Sequence, residues 1–268
     1  MKLSKKNDWS KLYGANRLQD IISEYKRIYQ TKSNQQQILN KFCEYISNGS
    51  VDQNIVELGS APGGNLVYMN KKCQLNCWGV EYTKEGVDLN TYLFEKFGLN
   101  TEQIIHMDFL DVENSKYVEY FDNLISFGVI EHFDNPQEII KNHLQWVRPG
   151  GKLFIVIPNL QYLYLLWNNL FNKEIVAIHN LELIKNDVLF ETVGKMDKIE
   201  VKDHGYFGTF DYGLFTYKKQ FIAKLFIYFL YRTKFIYQPI LDRFLRDSKL
   251  VSPYQFIIVE KLNAKQTA

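Results

Sequence analysis

Residues 54–65 read N-I-V-E-L-G-S-A-P-G-G-N, a short apolar run followed by three glycines. Its apolar start predicts a buried parallel strand, with the acidic Glu57 near the carboxyl end. Gly59, Gly63 and Gly64 follow within six positions, and glycine lets the backbone turn tightly and approach a ligand closely. The pattern therefore predicts a nucleotide-type site at the turn between a strand and a helix.

The glycine spacing differs from two common phosphate-binding motifs. Ala61 occupies the second glycine position of G-x-G-x-x-G, and no Lys-Ser/Thr pair follows as in a phosphate-binding loop. A tight strand-to-helix turn can also be purely structural, so this stretch alone leaves that alternative open.

Two further apolar runs end in an acid. Residues 78–82 (W-G-V-E-Y) place Glu81 24 residues after Glu57, and residues 103–109 (Q-I-I-H-M-D-F) end near Asp108. A carboxylate about 20 residues beyond a glycine turn is where α/β nucleotide sites bind ribose hydroxyls. The three acids are thus expected at one edge of a parallel sheet.

Strand and helix patterns alternate through the first part of the chain. Predicted helices span 34–46, 63–71, 84–97 and 136–147, and predicted strands span 54–58, 77–81, 152–157 and the neighbourhoods of 104 and 124. This alternation predicts a mostly parallel α/β sheet with helices on both faces and right-handed crossovers. We expect one continuous domain with an amino-terminal lid and first helix (1–50), a core (51–160) and a substrate-side part (161–268).

Three motifs carry a family resemblance. The pattern E-L-G-x-x-x-G, the segment G-V-I-E-H-F (residues 128–133) and R-P-G-G-K-L (residues 148–153) resemble class I S-adenosylmethionine-dependent methyltransferases of the small-molecule and carbohydrate branch. The resemblance spans Gln35 to Asn159. It implies a Rossmann-like, seven-stranded sheet with an antiparallel edge, a helical lid, and S-adenosyl-L-methionine as cofactor.

The same resemblance implies roles for individual residues. Glu57 would lie near the methionine amino group and Glu81 would bind both ribose hydroxyls. Asp108 would accept a hydrogen bond from the adenine amino group, with Phe109 and Tyr82 beside the ring. The expected cofactor-binding set is Glu57, Gly59, Ser60, Ala61, Gly63, Asn65, Glu81, Tyr82, Asp108, Phe109, Phe127 and His132. The alternative interpretation makes Phe109 and Phe127 core residues and Tyr82 a surface residue.

Two histidines are candidates for handling the proton released on methyl transfer, since histidine titrates near neutral pH. His132 lies in the E-H pair, and His204 lies in D-H-G-Y-F-G-T-F-D-Y-G (residues 203–213). The alternatives are a packing role for His132 and a structural edge turn for His204. Expected substrate-side residues are Trp9, Tyr13, Tyr206 and Asp211. From the resemblance we further expect residues 1–30 to close over the site when ligands bind; the alternative is that Trp9 and Tyr13 anchor a helix to the sheet permanently.

The carboxyl-terminal part has a different pattern. An aromatic helix is predicted over 161–172, a second helix over 181–196, and strands over 198–210 and 254–262. Residues 217–249 hold eight Lys or Arg against two Asp, interleaved with aromatic side chains. This segment is either a helical cap with a solvated basic face or an interfacial helix that meets a nucleotide-sugar, a lipid-linked sugar or an anionic membrane.

Composition limits the class of protein. The 268 residues are 46% hydrophobic with a formal charge of +2, the longest apolar run (225–231) is too short to span a membrane, and no secretory signal is visible. Cys43, Cys73 and Cys77 are too few for a disulfide framework and lack partners for zinc, so we expect thiols, no metal site and a cytoplasmic setting.

The predicted function is methylation of a small molecule, most simply at an oxygen of a metabolite or a sugar-linked acceptor. S-A-P-G-G also resembles RNA ribose methyltransferases, but residues 126–133 lack the required lysine and aspartate, and the small net charge predicts no nucleic-acid partner. A non-catalytic binding protein on the same fold is the third alternative.

Overall fold

The computed structural model describes residues 9–10, 13, 33–46, 53–185 and 187–263. Seven strands form one sheet in this part of the chain, in the order β3-β2-β1-β4-β5-β7-β6. The strands are β1 (Asn54–Leu58), β2 (Asn76–Glu81), β3 (Ile104–His106), β4 (Phe121–Phe127), β5 (Val147–Pro158), β6 (Ile199–Phe207) and β7 (Tyr254–Lys261). β1 to β5 are parallel, and β7 runs antiparallel to β5 and to β6. The predicted fold class is confirmed.

The helices surround this sheet. They are α1 (Asn34–Ile46), α2 (Gly64–Cys73), α3 (Lys84–Phe97), α4 (Pro136–Trp146), α5 (Tyr162–Phe171), α6 (Lys173–Ala177), α7 (Leu181–Ile184), α8 (Val188–Gly194) and α9 (Phe221–Phe244). Short 3-10 turns lie at 101–103, 109–114, 130–132 and 212–214. None of the described helices is long and apolar enough to cross a membrane.

Alternating side chains along each strand build a core on both faces of the sheet. Ile55 packs with the apolar faces of α1, α2 and α3, whereas Val56 packs with α4 and the helices that follow β5. Ile55 and Val56 are both fully buried. The carboxyl ends of β1, β2 and β4 are therefore held between two packed layers, and the loops that follow them form one edge.

The predicted helix over 181–196 is wrong as a single element. The chain forms α7, leaves the helix at Lys185, and begins α8 after Asp187, whose φ of 68° is left-handed. A left-handed residue breaks the run of helical dihedral angles. The predicted strand over 198–210 also ends early, at Phe207, because Gly208 has a φ of 100°.

The cysteines do not all remain thiols. Cys43 and Cys73 form a disulfide with 6.1 Å between their Cα atoms, which links α1 to the end of α2. The expectation of a thiol at Cys73 is therefore wrong, because the packing of α1 on α2 brings together two residues that are 30 positions apart. Cys77 is a buried free cysteine.

Candidate cofactor and active site

The loop after β1 is the turn that the glycines predict. Gly59 and Gly63 have φ values of 69° and 96°, in the left-handed region that favours glycine. The backbone N–H groups of Gly59 and Ser60 both donate to Val80 O, at 2.9 and 3.1 Å. The loop is thereby fixed to the end of β2, and α2 begins directly after it.

A buried asparagine supports this loop from α3. Asn90 Nδ2 donates to Ser60 Oγ at 2.9 Å, and both side chains are buried. A Cβ atom at Gly63 would lie 2.6 Å from Asn90 Oδ1, so the loop passes Asn90 too closely for any side chain. Asn90 is thus a determinant of the loop that the sequence did not indicate.

Glu57 is buried and only partly satisfied. Asn65 Nδ2 donates to Glu57 Oε1 at 2.6 Å, and Gln35 Nε2 donates to Asn65 Oδ1 at 2.7 Å. Glu57 Oε2 is buried without a hydrogen-bond partner, and burial raises the pKa of this carboxyl to about 8. A cationic group placed here would offset that cost, as the ammonium of S-adenosylmethionine would.

Glu81 is oriented by the start of α3. Its Oε1 accepts hydrogen bonds from the backbone N–H and the hydroxyl of Thr83, at 2.7 and 2.6 Å. Burial raises the pKa of Glu81, and the bonds from Thr83 oppose that shift. Gly86 leaves space for the Glu81 side chain, because a Cβ at this position would lie 2.7 Å from Glu81 Cγ. The carboxylate is therefore held in one position before any ligand binds.

Asp108 and Phe109 follow β3. Asp108 Oδ1 accepts from Leu110 N at 3.1 Å and begins the 3-10 turn. Phe109 is buried, with ring centroids 6.0 Å from Phe133 and 5.2 Å from His143. The described contacts of Phe109 are those of a core residue, whereas Asp108 is half-buried at the strand ends.

Phe127 and Tyr82 flank the site from β4 and β2. Both are half-buried. Phe127 lies edge-on to Tyr254 at 5.3 Å, and Tyr82 comes directly after Glu81. Their predicted contacts with the amino group and the adenine ring remain predictions.

Two amino-terminal aromatic residues lie over the loop. The Tyr13 hydroxyl is 3.5 Å from Ala61 O, and burial raises the pKa of this phenol, with Glu81, Tyr82 and Glu57 adding to the shift. The Trp9 ring lies 6.2 Å from the Tyr13 ring. Of the predicted lid over 1–30, residues 9, 10 and 13 are described, and the remainder lies outside the described residues.

His132 belongs to a second polar group beside Trp9. The Trp9 and His132 rings are 5.1 Å apart, and the His179 ring is 4.6 Å from His132. His132 Nδ1 lies 2.7 Å from Ile178 O, and burial lowers the pKa of His132 to about 4. The neighbouring Glu131 is also buried, which raises its pKa to about 8. We call Glu131, His132 and His179 the Glu-His-His cluster.

The other predicted acceptor-side residues do not join these two groups. His204 is exposed on β6 at the sheet edge and packs on Phe190 at 4.7 Å. The Tyr206 hydroxyl donates to Asp187 Oδ1 at 3.0 Å, on the same edge. Asp211 accepts from Gly213 N at 2.8 Å, and its backbone N–H donates to the Tyr164 hydroxyl at 3.0 Å.

Several residues at the site were not predicted from the sequence. A Thr before a helical pattern is a capping signal, so Thr83 could have been found, since its hydroxyl accepts from Gly86 N at 3.1 Å. Asn90 lies within α3 and His179 between two short helices, where no motif indicates a role.

Comparisons with known proteins agree with this geometry. A family model described as a methyltransferase domain matches residues 23–194, more than half of the chain. The chain belongs to this methyltransferase family. The prediction of a class I methyltransferase with S-adenosylmethionine as cofactor is confirmed.

Relatives with curated descriptions and solved structures are distant. "Probable (S)-tetrahydroprotoberberine N-methyltransferase 2" of Papaver bracteatum is 30% identical over 118 residues, which are 42% of this chain and 31% of that protein. The match thus spans about a third of the relative's length.

Solved structures show the fold. Geranyl diphosphate C-methyltransferase from Streptomyces coelicolor, crystallised with S-adenosyl-L-homocysteine, has a TM-score of 0.52 at 12% identity and covers 83% of this chain and 79% of its own. The YcgJ protein of Bacillus subtilis has a TM-score of 0.53 at 11% identity, with 84% and 98% covered.

Proposed function

We propose that the protein transfers the methyl group of S-adenosylmethionine to an oxygen atom of a small acceptor, a metabolite or a sugar-linked intermediate. The observation that carries the proposal is the pair of buried carboxylates, Glu57 and Glu81, at the carboxyl ends of adjacent strands around a glycine loop. Both are already oriented by neighbouring side chains. The choice of oxygen rests on the sequence resemblance.

The residues of this chain would align the reactants and exclude water. Methyl transfer is an in-line displacement, so holding donor and acceptor in line supplies much of the rate enhancement. Glu57 would offset the charge of the donor's ammonium, and Glu81 would fix the ribose. Trp9 and Tyr13 would cover the reacting atoms, because large aromatic side chains exclude water with little loss of rotamer entropy.

We propose that the His132 side chain contacts the acceptor. Its Nδ1 lies against Ile178 O, so in the neutral ring Nδ1 donates and Nε2 keeps its lone pair. Nε2 is therefore available to accept a hydrogen bond from an acceptor hydroxyl. His204 stays on the far edge of the sheet and is not part of this proposal.

The test is product analysis with isotope-labelled methyl donor. The full-length protein is incubated with S-adenosylmethionine carrying a ¹³C-methyl group and a panel of hydroxyl and amine acceptors, and the products are read by NMR. We expect a methyl ether. A labelled N-methyl product with no methyl ether would contradict the oxygen assignment, and the Glu81→Gln variant is the control for site-dependent transfer.

Nitrogen methylation is the second candidate, for one reason. The Papaver relative named above is described as an N-methyltransferase. The same panel distinguishes the two, since amine acceptors would then be the labelled ones.

We further propose that α9 rests on an anionic membrane surface. Of its 24 residues, only Ala223 is buried. Phe221, Ile222, Phe235 and Phe244 are each at least 70% exposed. A helix with so many exposed aromatic and aliphatic side chains is typical of interfacial helices rather than of solvated ones.

The patch continues onto α5 and carries positive charge. Leu163, Leu166 and Leu170 are more than half exposed, and Trp167 stacks on Phe226 of α9 at 5.1 Å, so the two helices form one surface. Residues 217–249 carry eight Lys or Arg against two Asp, a balance of +6, while the formal charge of the chain is +2. Basic side chains beside apolar ones fit acidic lipid headgroups.

Vesicle sedimentation tests the membrane contact. The protein should sediment with phosphatidylserine-containing vesicles, release as salt rises, and stay in solution with neutral phosphatidylcholine vesicles. Phe221→Ser with Phe235→Ser should abolish sedimentation, and the exposed Lys71→Glu on α2 is the control. Equal behaviour with both vesicle types, or a stable dimer through this face, would contradict the proposal. Anionic lipids are concentrated in the cytoplasmic leaflet of membranes. This contact therefore favours a cytoplasmic protein that acts on a lipid-linked acceptor.

A further inference from the structure

The Glu-His-His cluster presents three donor atoms to one small space. Glu131, His132 and His179 each offer one ligand atom, and these atoms all lie within 4.8 Å of one another. His132 Nε2 is 4.0 Å from Glu131 Oε1. Two donors bound to one ion at about 2.1 Å lie roughly 3 to 4 Å apart, so a side-chain adjustment of about 1 Å closes the site.

Backbone carbonyls fix the tautomer of both histidines. His132 Nδ1 lies 2.7 Å from Ile178 O, and His179 Nδ1 lies 2.6 Å from Ile175 O. A carbonyl oxygen can only accept, so each neutral ring carries its proton on Nδ1 and leaves Nε2 with a free lone pair. Orientation of a ligand histidine by a hydrogen bond at its other nitrogen is the usual arrangement at metal sites.

The carboxylate of the cluster is buried and incompletely paired. Glu131 is 1% exposed, and its Oε2 is buried without a hydrogen-bond partner. Glu131 Oε1 lies 4.0 Å from Nε2 of the neutral His132 ring, which is too far for a hydrogen bond. A buried carboxylate oxygen without a donor is costly unless a cation binds it.

The chain holds the three residues together from both sides. Asn180 N donates to Glu131 O at 2.6 Å, and Asn180 Nδ2 donates to Phe133 O at 2.9 Å. Both bonds come from the residue that follows His179, and they attach its segment to the turn that carries Glu131 and His132. The donors are therefore pre-positioned although they come from chain segments that lie far apart.

We infer that Glu131, His132 and His179 bind a divalent first-row metal ion of the zinc type. Two neutral imidazoles and one carboxylate are a donor set that such ions prefer, and three protein ligands leave a position open. Trp9 packs on His132 and on Tyr13, whose hydroxyl reaches Ala61 O, so the cluster lies close to the glycine loop.

This inference deepens the proposed function, on which its catalytic meaning rests. A metal-bound hydroxyl has a lowered pKa, so an acceptor oxygen in the open position would release its proton to solvent more readily. His132 Nε2 would then hold the acceptor through the ion, in place of the direct hydrogen bond that it could accept in the metal-free protein. The acceptor class would then be a molecule with a hydroxyl, or two adjacent oxygens, able to reach the ion. Metal binding itself requires neither acceptor nor cofactor.

Cobalt titration of the chelator-treated full-length protein tests the site directly. Co²⁺ should give visible absorption bands of low-symmetry coordination that saturate at one ion per chain, and Zn²⁺ should displace it. His179→Ala and the isosteric Glu131→Gln should each weaken binding roughly 100-fold or more. His106→Ala, at an exposed histidine at the end of β3, is the control and should bind as the wild type does.

Circular dichroism first establishes that each variant is folded. Absence of saturable binding in the wild type, or equal affinity in His179→Ala and His106→Ala, would overturn the inference. Because S-adenosylhomocysteine binding is measured separately, loss of the metal site would leave the proposed cofactor site standing.

Discussion

At the scale of single residues, Glu57 is both buried and incompletely hydrogen-bonded. Its only described hydrogen bond comes from Asn65, and its second oxygen is buried without a partner. In the free protein burial favours the protonated carboxyl. A cationic ligand would reverse that preference, so we propose that the charge of Glu57 depends on cofactor binding as well as on folding and pH.

The pH dependence of stability should report Glu57. The pKa of this carboxyl rises from 4.5 to about 8 on folding, so between these values the folded state binds more protons and stability falls as pH rises. Glu57→Gln removes this effect. The variant should gain stability over the wild type by up to about 1.4 kcal/mol for each pH unit crossed above 4.5.

Urea unfolding at pH 5, 6, 7 and 8 measures this difference. The exposed Glu95→Gln variant on α3 serves as control and should show a constant difference from the wild type. A constant difference for Glu57→Gln as well would contradict the raised pKa.

At the scale of elements, α3 begins where the site is made. Thr83 caps this helix and donates hydrogen bonds to Glu81. Gly86, in its first turn, has no side chain and so leaves space for the Glu81 side chain. The predicted bounds of α3 match the structure, in which the Thr83 cap and the left-handed Gly98 mark its two ends. α7 and α8 were predicted as one helix, although the sequence reads Asn-Asp at 186–187, two residue types that adopt left-handed dihedral angles more readily than most.

Gly86→Ala tests the close approach of α3 to β2. In an open helix position this change stabilises by about 0.5 to 1 kcal/mol. Here the new Cβ would lie 2.7 Å from Glu81 Cγ, so we expect a loss of roughly 1 to 3 kcal/mol and weaker binding of S-adenosylhomocysteine. Gly194→Ala, which meets no atom within 4 Å, is the matched control in thermal unfolding. A stabilising Gly86→Ala would show that the contact is not tight.

Tyr13 tests whether the amino-terminal segment takes part in binding. Its hydroxyl reaches Ala61 O, and after burial the nearby Glu81, Tyr82 and Glu57 raise its pKa further. If the ring covers the cofactor, Tyr13→Ala should weaken S-adenosylhomocysteine binding roughly tenfold, and Tyr13→Phe should retain most of the affinity. Affinities are measured by calorimetry. Unchanged binding in Tyr13→Ala would contradict a covering role.

At the scale of the whole molecule, the candidate cofactor site and the exposed apolar surface lie on different elements of the chain. β1 to β4 end at the loops of the candidate cofactor site, whereas α5 and α9 form the exposed apolar surface after β5. Motifs predicted the first group, because strand ends and glycine turns are local features. The Glu-His-His cluster and the position of Trp9 depend on packing between distant segments, which no local pattern encodes.

The central claim is that the acids at the strand ends bind S-adenosylmethionine. Isothermal calorimetry of S-adenosylhomocysteine with the wild type, Glu81→Gln and the Glu95→Gln control tests it most directly. Removing the charged acceptor for two ribose hydroxyls should cost roughly 2 to 4 kcal/mol. We expect binding in the wild type and the control, with Glu81→Gln weaker by about 30-fold to several hundred-fold. Equal affinity in all three proteins, or no binding to the wild type, would contradict it.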